Sequence, residues 1–500
     1  MKNDLVLFFY SKTEPNNIYR NLPISILKLA SQVQANGYRF KFIDSRLDSN
    51  YISSVKQSVK DMLCLCISCM TGYQIYQNIK VSKVVKSENP EIPVIWGGWH
   101  PSLLPDETIK NEYIDIIVKK QGEKSLIEVL NALVNNSSFN SISGISFKEN
   151  GLVIHNPERK FENIKNYVPI NFDILDIKKY INKSYLGERT IFWNASQGCS
   201  YNCGFCCTPT VYKGNWSAQE VKVTLDEIET LVKRYGVDSI LFAEDNFFID
   251  KRRVKSICEE IIEKKLNIKW ATDSRIDQII RYSDNELKLL KKSGCIKLYL
   301  GAESGDQEVL NLVDKRIKVE DILKAAKMLH KNEIIGEFFI MVGFPLNPEK
   351  DLKMSVELIT RIKREYPNHQ ATSFLYTPYP GTRLLDIAKE KGAKLPNTLD
   401  EWVDWSMLGK SVPWIKKDYF DRANRIFKFY LPFAYPSASL LAIMNTNWKG
   451  LFYKLMHKIA KLRIENNIHY FPLEWYFVKF IYYRVGMKFN IFKNQNKQNI

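Results

Sequence analysis

An alternation of short apolar runs with amphipathic helical patterns, met twice along the chain, constrains the fold most. In the first 135 residues, strand-like runs fall at 5–10, 39–44, 62–70, 93–99 and 114–119, with helical patterns such as 24–36 and 73–87 between them. Strands buried on both faces read as continuous apolar runs, and parallel neighbours need crossover helices, so this region predicts a doubly wound, flavodoxin-like α/β sheet. Ligands of such sheets bind at the carboxyl ends of the strands. Ser68-Cys69-Met70, Gly97-Gly98-Trp99-His100 and Gln121-Gly122-Glu123 fall at those ends. A hairpin pattern follows, with Glu149-Asn150-Gly151 as its turn, and then a linker to about residue 187.

From Thr190 the alternation restarts, with strands expected at 190–195, 239–243, 269–272, 297–300, 336–342 and 370–376. Helical patterns near 225–235, 252–265, 284–293, 319–331 and 349–364 separate them. Strand–helix units repeated in this way predict a partial (β/α)6 barrel, with its site at the C-terminal strand ends. The remainder reads as helical. The expected divisions are an α/β domain over 1–140, a linker with a hairpin over 141–187, the barrel over 188–395 and a basic, aromatic-rich helical domain over 396–500.

With 45% hydrophobic and 25% charged residues, the composition is that of an ordinary globular protein. No uninterrupted apolar stretch reaches the roughly 18 residues of a transmembrane helix, so none is predicted. The first residues lack the length and cleavage site of a signal peptide, and nine Cys without an export signal predict a reducing, cytoplasmic setting. Net charge is +17, and residues 410–500 hold 16 Lys/Arg against 4 Asp/Glu together with 21 aromatics. Such a segment predicts either a surface for anionic partners (lipid headgroups, nucleic acid or a phosphorylated substrate) or a helical cap with solvated lysines.

The sharpest chemical signal is QGCSYNCGFCC, which sets Cys199-x-x-x-Cys203-x-x-Cys206 directly after the first barrel strand. Three thiolates on one short loop can hold three irons of a 4Fe–4S cluster and leave the fourth open. A structural zinc site wants four closed ligands, and Cys207, adjacent to Cys206, is poorly aimed as the fourth.

This triplet, with Phe205 before its last Cys and a partial barrel behind it, resembles the radical S-adenosylmethionine (radical SAM) superfamily. The resemblance implies that Cys199, Cys203 and Cys206 bind the cluster and that the open iron chelates S-adenosylmethionine. An electron from the cluster then yields a 5′-deoxyadenosyl radical. Similar placement at strand ends implies cofactor-binding roles for Glu244, Asp245, Arg275, Glu303, Ser304 and Gly343. The N-terminal sheet is similar to the cobalamin-binding domain of cobalamin-dependent radical enzymes. Ser68-x-Met70, Gly97-Gly98 and Gly122 carry that likeness. The D-x-H-x-x-G loop, whose His ligates cobalt in many such proteins, is absent: residues 11–21 read SKTEPNNIYRN. A cobalt held by histidine from that loop is therefore not expected, and His100 is either a ligand-facing imidazole or a polar loop tip. Cys64, Cys66 and Cys69 could hold a second cluster, but their alternation fits a buried strand better.

The resemblance implies a cobalamin-dependent radical methyltransferase acting on an unactivated carbon. Rearrangement, cyclisation or oxidation is the second enzymatic reading, with or without cobalamin. A tRNA methylthiotransferase fits poorly, since its N-terminal cysteines are widely spaced, and nucleic acid is not an expected partner. An iron–sulfur electron-transfer or sensory module would not need six strands with acidic and glycine-rich ends. Expected partners are a small-molecule or lipid-linked substrate, an electron donor such as flavodoxin or ferredoxin, and the inner membrane face met through residues 410–500.

Overall fold

The structure is a computed structural model that describes residues 4–15, 20–405, 412–445 and 448–484. Strands β1 (Leu5–Tyr10), β2 (Arg39–Asp44), β3 (Met62–Ser68), β4 (Val94–Gly97) and β5 (Ile116–Val118) are parallel neighbours in the order β2-β1-β3-β4-β5. That is the flavodoxin-like order. Successive side chains point to opposite faces, and both faces are buried. Leu7, Phe9, Leu65 and Trp96 pack with Val81 and Val85 of helix Gln74–Glu88. Val6, Phe8, Cys64 and Ile95 pack with helices Ile24–Ala35 and Glu123–Asn135. This two-sided burial is why the strands read as unbroken apolar runs.

The hairpin, β6 (Ile145–Glu149) and β7 (Leu152–His155), pairs antiparallel onto β5 and extends the sheet to seven strands instead of standing apart. Asn150 and Gly151 both adopt positive φ (52° and 77°), as a tight two-residue hairpin turn requires. The expected linker is also no free connection. Ile170, Phe172, Ile177 and Tyr180 are buried in the core shared with the barrel.

Beyond it come β8 (Thr190–Trp193), a short antiparallel ribbon of β9 (Ser196–Gly198) and β10 (Trp216–Ala218), then β11 (Ser239–Phe242), β12 (Lys269–Arg275), β13 (Cys295–Glu303), β14 (Ile335–Val342) and β15 (Gln370–Leu375). Six of these form the parallel order β15-β14-β13-β12-β11-β8, with no pairing between β15 and β8, which makes the barrel partial. Strands β12 and β13 run beyond their expected ends because Asp273-Ser274-Arg275 and Gly301-Ala302-Glu303 stay in the ladder although polar or small. An apolar pattern cannot register such residues.

After the barrel, Leu399, Trp402 and Trp405 pack on the N-terminal sheet, although the expected boundary at 396 assigns them to the C-terminal domain. Helices between Tyr419 and Arg484 then close the molecule. Tyr419, Phe427, Phe429, Tyr430, Phe433 and Tyr453 turn inward to the barrel core, as a helical cap requires. Among the described residues no helix is long and apolar enough to cross a membrane.

Candidate functional site

The sulfur loop leaves β9 through Gly198 (φ 84°) and is pinned in mid-course, where Gly204 N–H donates to the Val313 carbonyl (2.8 Å) and Leu384 N–H donates to the Gly204 carbonyl (2.9 Å). Phe205 anchors it in a small apolar cluster with Val309, Val313, Phe344, Tyr376 and Leu384. The three sulfurs each have their own donors. Asn246 Nδ2 lies 3.8 Å from Cys199 Sγ, and Arg275 Nη1 lies 3.0 Å from Cys203 Sγ. Thr208 donates to Cys206. Burial pushes the Cys206 thiol up to about 11 and raises Cys199; a charge on Cys203 adds to both, so the three thiols share one electrostatic neighbourhood.

The expected acidic and polar contacts divide sharply. Glu244 is buried and committed: Arg253 ion-pairs with it (3.0 Å), Ala195 N–H donates to it (3.1 Å) and Ser196 Oγ bonds to it. Its neighbour Asp245 instead is exposed just beyond the end of β11 and, among the described residues, accepts only the Gly198 N–H (2.9 Å). Arg275 is spent on Asp277 (2.8 Å), the Lys315 carbonyl (2.5 Å) and Cys203, and its guanidinium sits 3.8 Å above the Tyr201 ring. It supports the sulfur loop. Glu303 is held by Lys315 (2.6 Å) at a bulge with φ 62°, its carboxylate lying over Gly301. Ser304 is fully buried and bonds to Asp351. Gly343 (φ 86°) receives the Trp414 indole N–H on its carbonyl (2.9 Å).

Asp273, within the β12 end, is a carboxylate with no hydrogen bond or ion pair among the described residues. It lies in register with Tyr299 and, one strand further, Glu337. Burial, reinforced by Glu337 and Asp245, raises its pKa to about 7. Sequence reading missed it because nothing distinguishes an interior carboxylate in a polar strand end from a paired one.

Ser68, Met70, Gly97, Gly98 and Gly122 all line one cavity at the carboxyl ends of β1 and β3–β5. It encloses about 1060 Å³ of empty space, counting its open mouth. Its inner wall is apolar (Phe8, Ile26, Ile95, Leu126), and its rim is polar. Gly98 (φ 94°) serves the fold first: a Cβ there would stand 2.9 Å from the Cys69 backbone. His100 does not reach the cavity. It is fully buried, bonds Thr71 through Nδ1 (3.0 Å), packs on Trp402 and is pushed down to about 3 by burial. Cys64, Cys66 and Cys69 are core residues.

The barrel module roofs this cavity with Gln197, Val211 and Tyr212, residues without any pattern that marks them. Gln121 Nε2 bonds Gln197 Oε1 (3.0 Å), and Lys28 Nζ bonds Asn194 Oδ1 (2.7 Å), so the two modules are stitched at this seam. Gln197 faces the cavity and Cys199 follows two residues later, a chain span of at most about 7 Å.

The residues fit both groups that the motifs imply. The three thiols of one short loop share one electrostatic neighbourhood. That suits a cluster, where each sulfur takes its own iron. The cavity offers an apolar shaft and a polar rim to a bulky ligand, with no imidazole among its lining residues.

Comparison with known proteins agrees. Residues 193–359 match the model of the radical SAM superfamily, and residues 19–130 match the B12 binding domain. An uncharacterized methyltransferase of Pyrococcus horikoshii is 27% identical over 80% of this chain and 84% of its own. The anaerobic magnesium-protoporphyrin IX monomethyl ester cyclase of Rubrivivax gelatinosus is 26% identical over 80% and 71%. In fold, the radical S-adenosylmethionine methyltransferase TsrM of Kitasatospora setae, solved with cobalamin and a 4Fe–4S cluster bound, superposes with a TM-score of 0.65 at 14% identity, covering 80% of this chain and 81% of that one. The chain carries a B12-binding domain ahead of a radical SAM domain, so its cofactors are a 4Fe–4S cluster, S-adenosylmethionine and cobalamin.

Proposed function

We propose that the enzyme transfers a methyl group to an unactivated carbon by radical chemistry. The observation that carries this reading is the shared seam: the β9 stretch that roofs the N-terminal cavity leads directly into the sulfur loop. When bound, the three cofactors supply a reducing electron, a carbon-centred radical and a transferable methyl group. Cys199, Cys203 and Cys206 would hold the cluster, and the donors from Asn246, Arg275 and Thr208 to their sulfurs tune its potential. Asp245, exposed just beyond the end of β11, is placed to accept a bond from an ammonium group. Gly97, Gly98, Gly122, Ser68 and Met70 shape the corrinoid cavity. The roof of Gln197, Val211 and Tyr212 limits water access, which a primary carbon radical requires.

The test is anaerobic incubation with dithionite and S-adenosylmethionine labelled in its methyl group. Formation of 5′-deoxyadenosine and, with the substrate, labelled methylated product supports the reading. Deoxyadenosine with an unlabelled, rearranged or cyclised product supports the second reading, which the cyclase relative favours. An electron donor such as flavodoxin or ferredoxin is the expected protein partner, and the net charge of +17 favours an acidic one.

We also propose that the protein works in the cytoplasm against an inner membrane face, on a lipid or lipid-linked substrate. Helix Trp448–Glu465 buries Tyr453, Met456 and Ala460 but exposes Leu451, Leu455 and Leu462 beside Lys454, Lys458 and Lys461. Phe471 is 86% exposed nearby in the chain. Leucines interleaved with lysines suit an anionic lipid surface. Flotation with anionic liposomes at low and moderate salt tests this: co-flotation supports it, and no binding in either removes it.

A further inference from the structure

Beside the corrinoid cavity lies a second cleft, with about 960 Å³ of empty space counting its mouth. The two share Lys120, Gln121, Val211 and Tyr212 as a common wall, so they lie side by side. The cleft is strongly basic. Lys119, Lys120, Arg159, Lys160 and Lys213 line it against a single carboxylate, Glu158. Glu158 is already taken by Lys120 (2.6 Å), and Arg159 is taken from behind by Glu128 and Glu162.

Lys119, Lys160 and Lys213 are left with no ion pair among the described residues. Lys119 is the informative one. Its residue is 9% exposed, and among the described residues its ammonium donates only to the Asn156 carbonyl, at 3.3 Å. Burial is the largest influence on its pKa and lowers it; the charge of Glu158 opposes that, and the neighbouring Lys120 adds to it. A desolvated ammonium with no carboxylate in contact is costly, and a ligand that brings negative charge to it offsets that cost. Lys120 itself stands at φ 64°, with its N–H held by Ser102 Oγ (2.7 Å), which fixes the backbone of this wall. Three ammonium groups with no carboxylate partner match a dianion or trianion better than a single carboxylate, and lysines bind phosphate as point charges.

We propose that this cleft recognises a phosphate or pyrophosphate group on the molecule the enzyme acts on, and holds it while the body of that molecule extends past Tyr212 to the seam. That this molecule is the one methylated rests on the methyl-transfer reading; the anion site stands on the cleft itself. One other source offers the same chemistry, the phosphate in the nucleotide arm of cobalamin.

The experiment measures pyrophosphate binding by calorimetry, using the full chain with and without hydroxocobalamin loaded. The expected result is saturable binding in both forms, and binding at least about tenfold weaker, one lost ion contact or more, in Lys119→Met and in Lys160→Glu/Lys213→Glu. The second variant alters exposed side chains only, so it stays informative if Lys119→Met does not fold. Iron and corrinoid contents of the second variant are expected to equal those of the wild type. Absence of pyrophosphate binding, unchanged binding in the folded variants, or loss of binding once cobalamin is loaded would overturn the proposal, the last by assigning the cleft to the cofactor. A chain that takes up no corrinoid yet binds pyrophosphate through these lysines refutes the two-cofactor reading and leaves the anion site standing.

Discussion

The mouth of the N-terminal sheet and the mouth of the barrel meet at one seam but are made differently. At the sheet, the marked residues are small or neutral, and all five open onto one void. At the barrel, most of the marked residues are charged or polar and already engaged: Glu244 with Arg253, Glu303 with Lys315, Arg275 with Asp277 and Cys203, Ser304 with Asp351. Only the sulfur loop and Asp245 stay available. Small residues at a strand end thus mark space for a ligand. Polar residues at a strand end mark the scaffold that stiffens a ligand-binding loop as often as the contact itself.

The widest separation of the two mouths is expected from Cys203→Ala. Iron content and the visible absorbance of the anaerobically reconstituted protein should be lost, while corrinoid uptake stays near the wild-type level, because Cys203 does not line the cavity. Loss of both together would mean that the modules do not load independently. Arg253→Met tests the engaged scaffold. It strips a fully buried carboxylate of its ion pair, and denaturant unfolding should show destabilisation of about 3–5 kcal/mol. A change below about 1 kcal/mol would mean that Glu244 is solvated and free to bind a ligand.

Gly98→Ala should act on the sheet alone. Left-handed φ and the 2.9 Å approach to Cys69 predict a loss of about 1–3 kcal/mol and reduced corrinoid uptake, with iron content unchanged. Reduced iron instead would contradict the division. The smallest expected effect is Asp273→Asn. The raised carboxyl, with its pKa of about 7, is stabilising while protonated, and that contribution is lost as pH rises through about 7. The wild type should therefore lose stability from pH 5 to pH 8, and the variant, which gives up no protein hydrogen bond, should lose less. Melting curves at the two pH values measure this, and equal slopes would refute it.

The architecture was largely legible because both sheets bury both faces, which leaves unbroken apolar runs and helix periods between them. The triplet was legible because its three donors are adjacent in sequence. What escaped was whatever depends on partners distant in sequence. Glu244 and Asp245 are neighbours and look alike, yet Arg253 claims one and leaves the other free. Tyr212 and Gln197 carry no pattern, and only the meeting of two modules makes them a roof. The hairpin is legible from its turn at Glu149-Asn150-Gly151, but its pairing onto β5 is a tertiary fact.

The central claim is that the cavity and the sulfur loop load two different cofactors side by side in one chain. Iron and corrinoid assayed on the same desalted sample, after anaerobic reconstitution with iron, sulfide and hydroxocobalamin, test it most directly. About four irons and about one corrinoid per chain are expected. An iron-free, colourless protein, or an iron-replete one that retains no corrinoid, would contradict it.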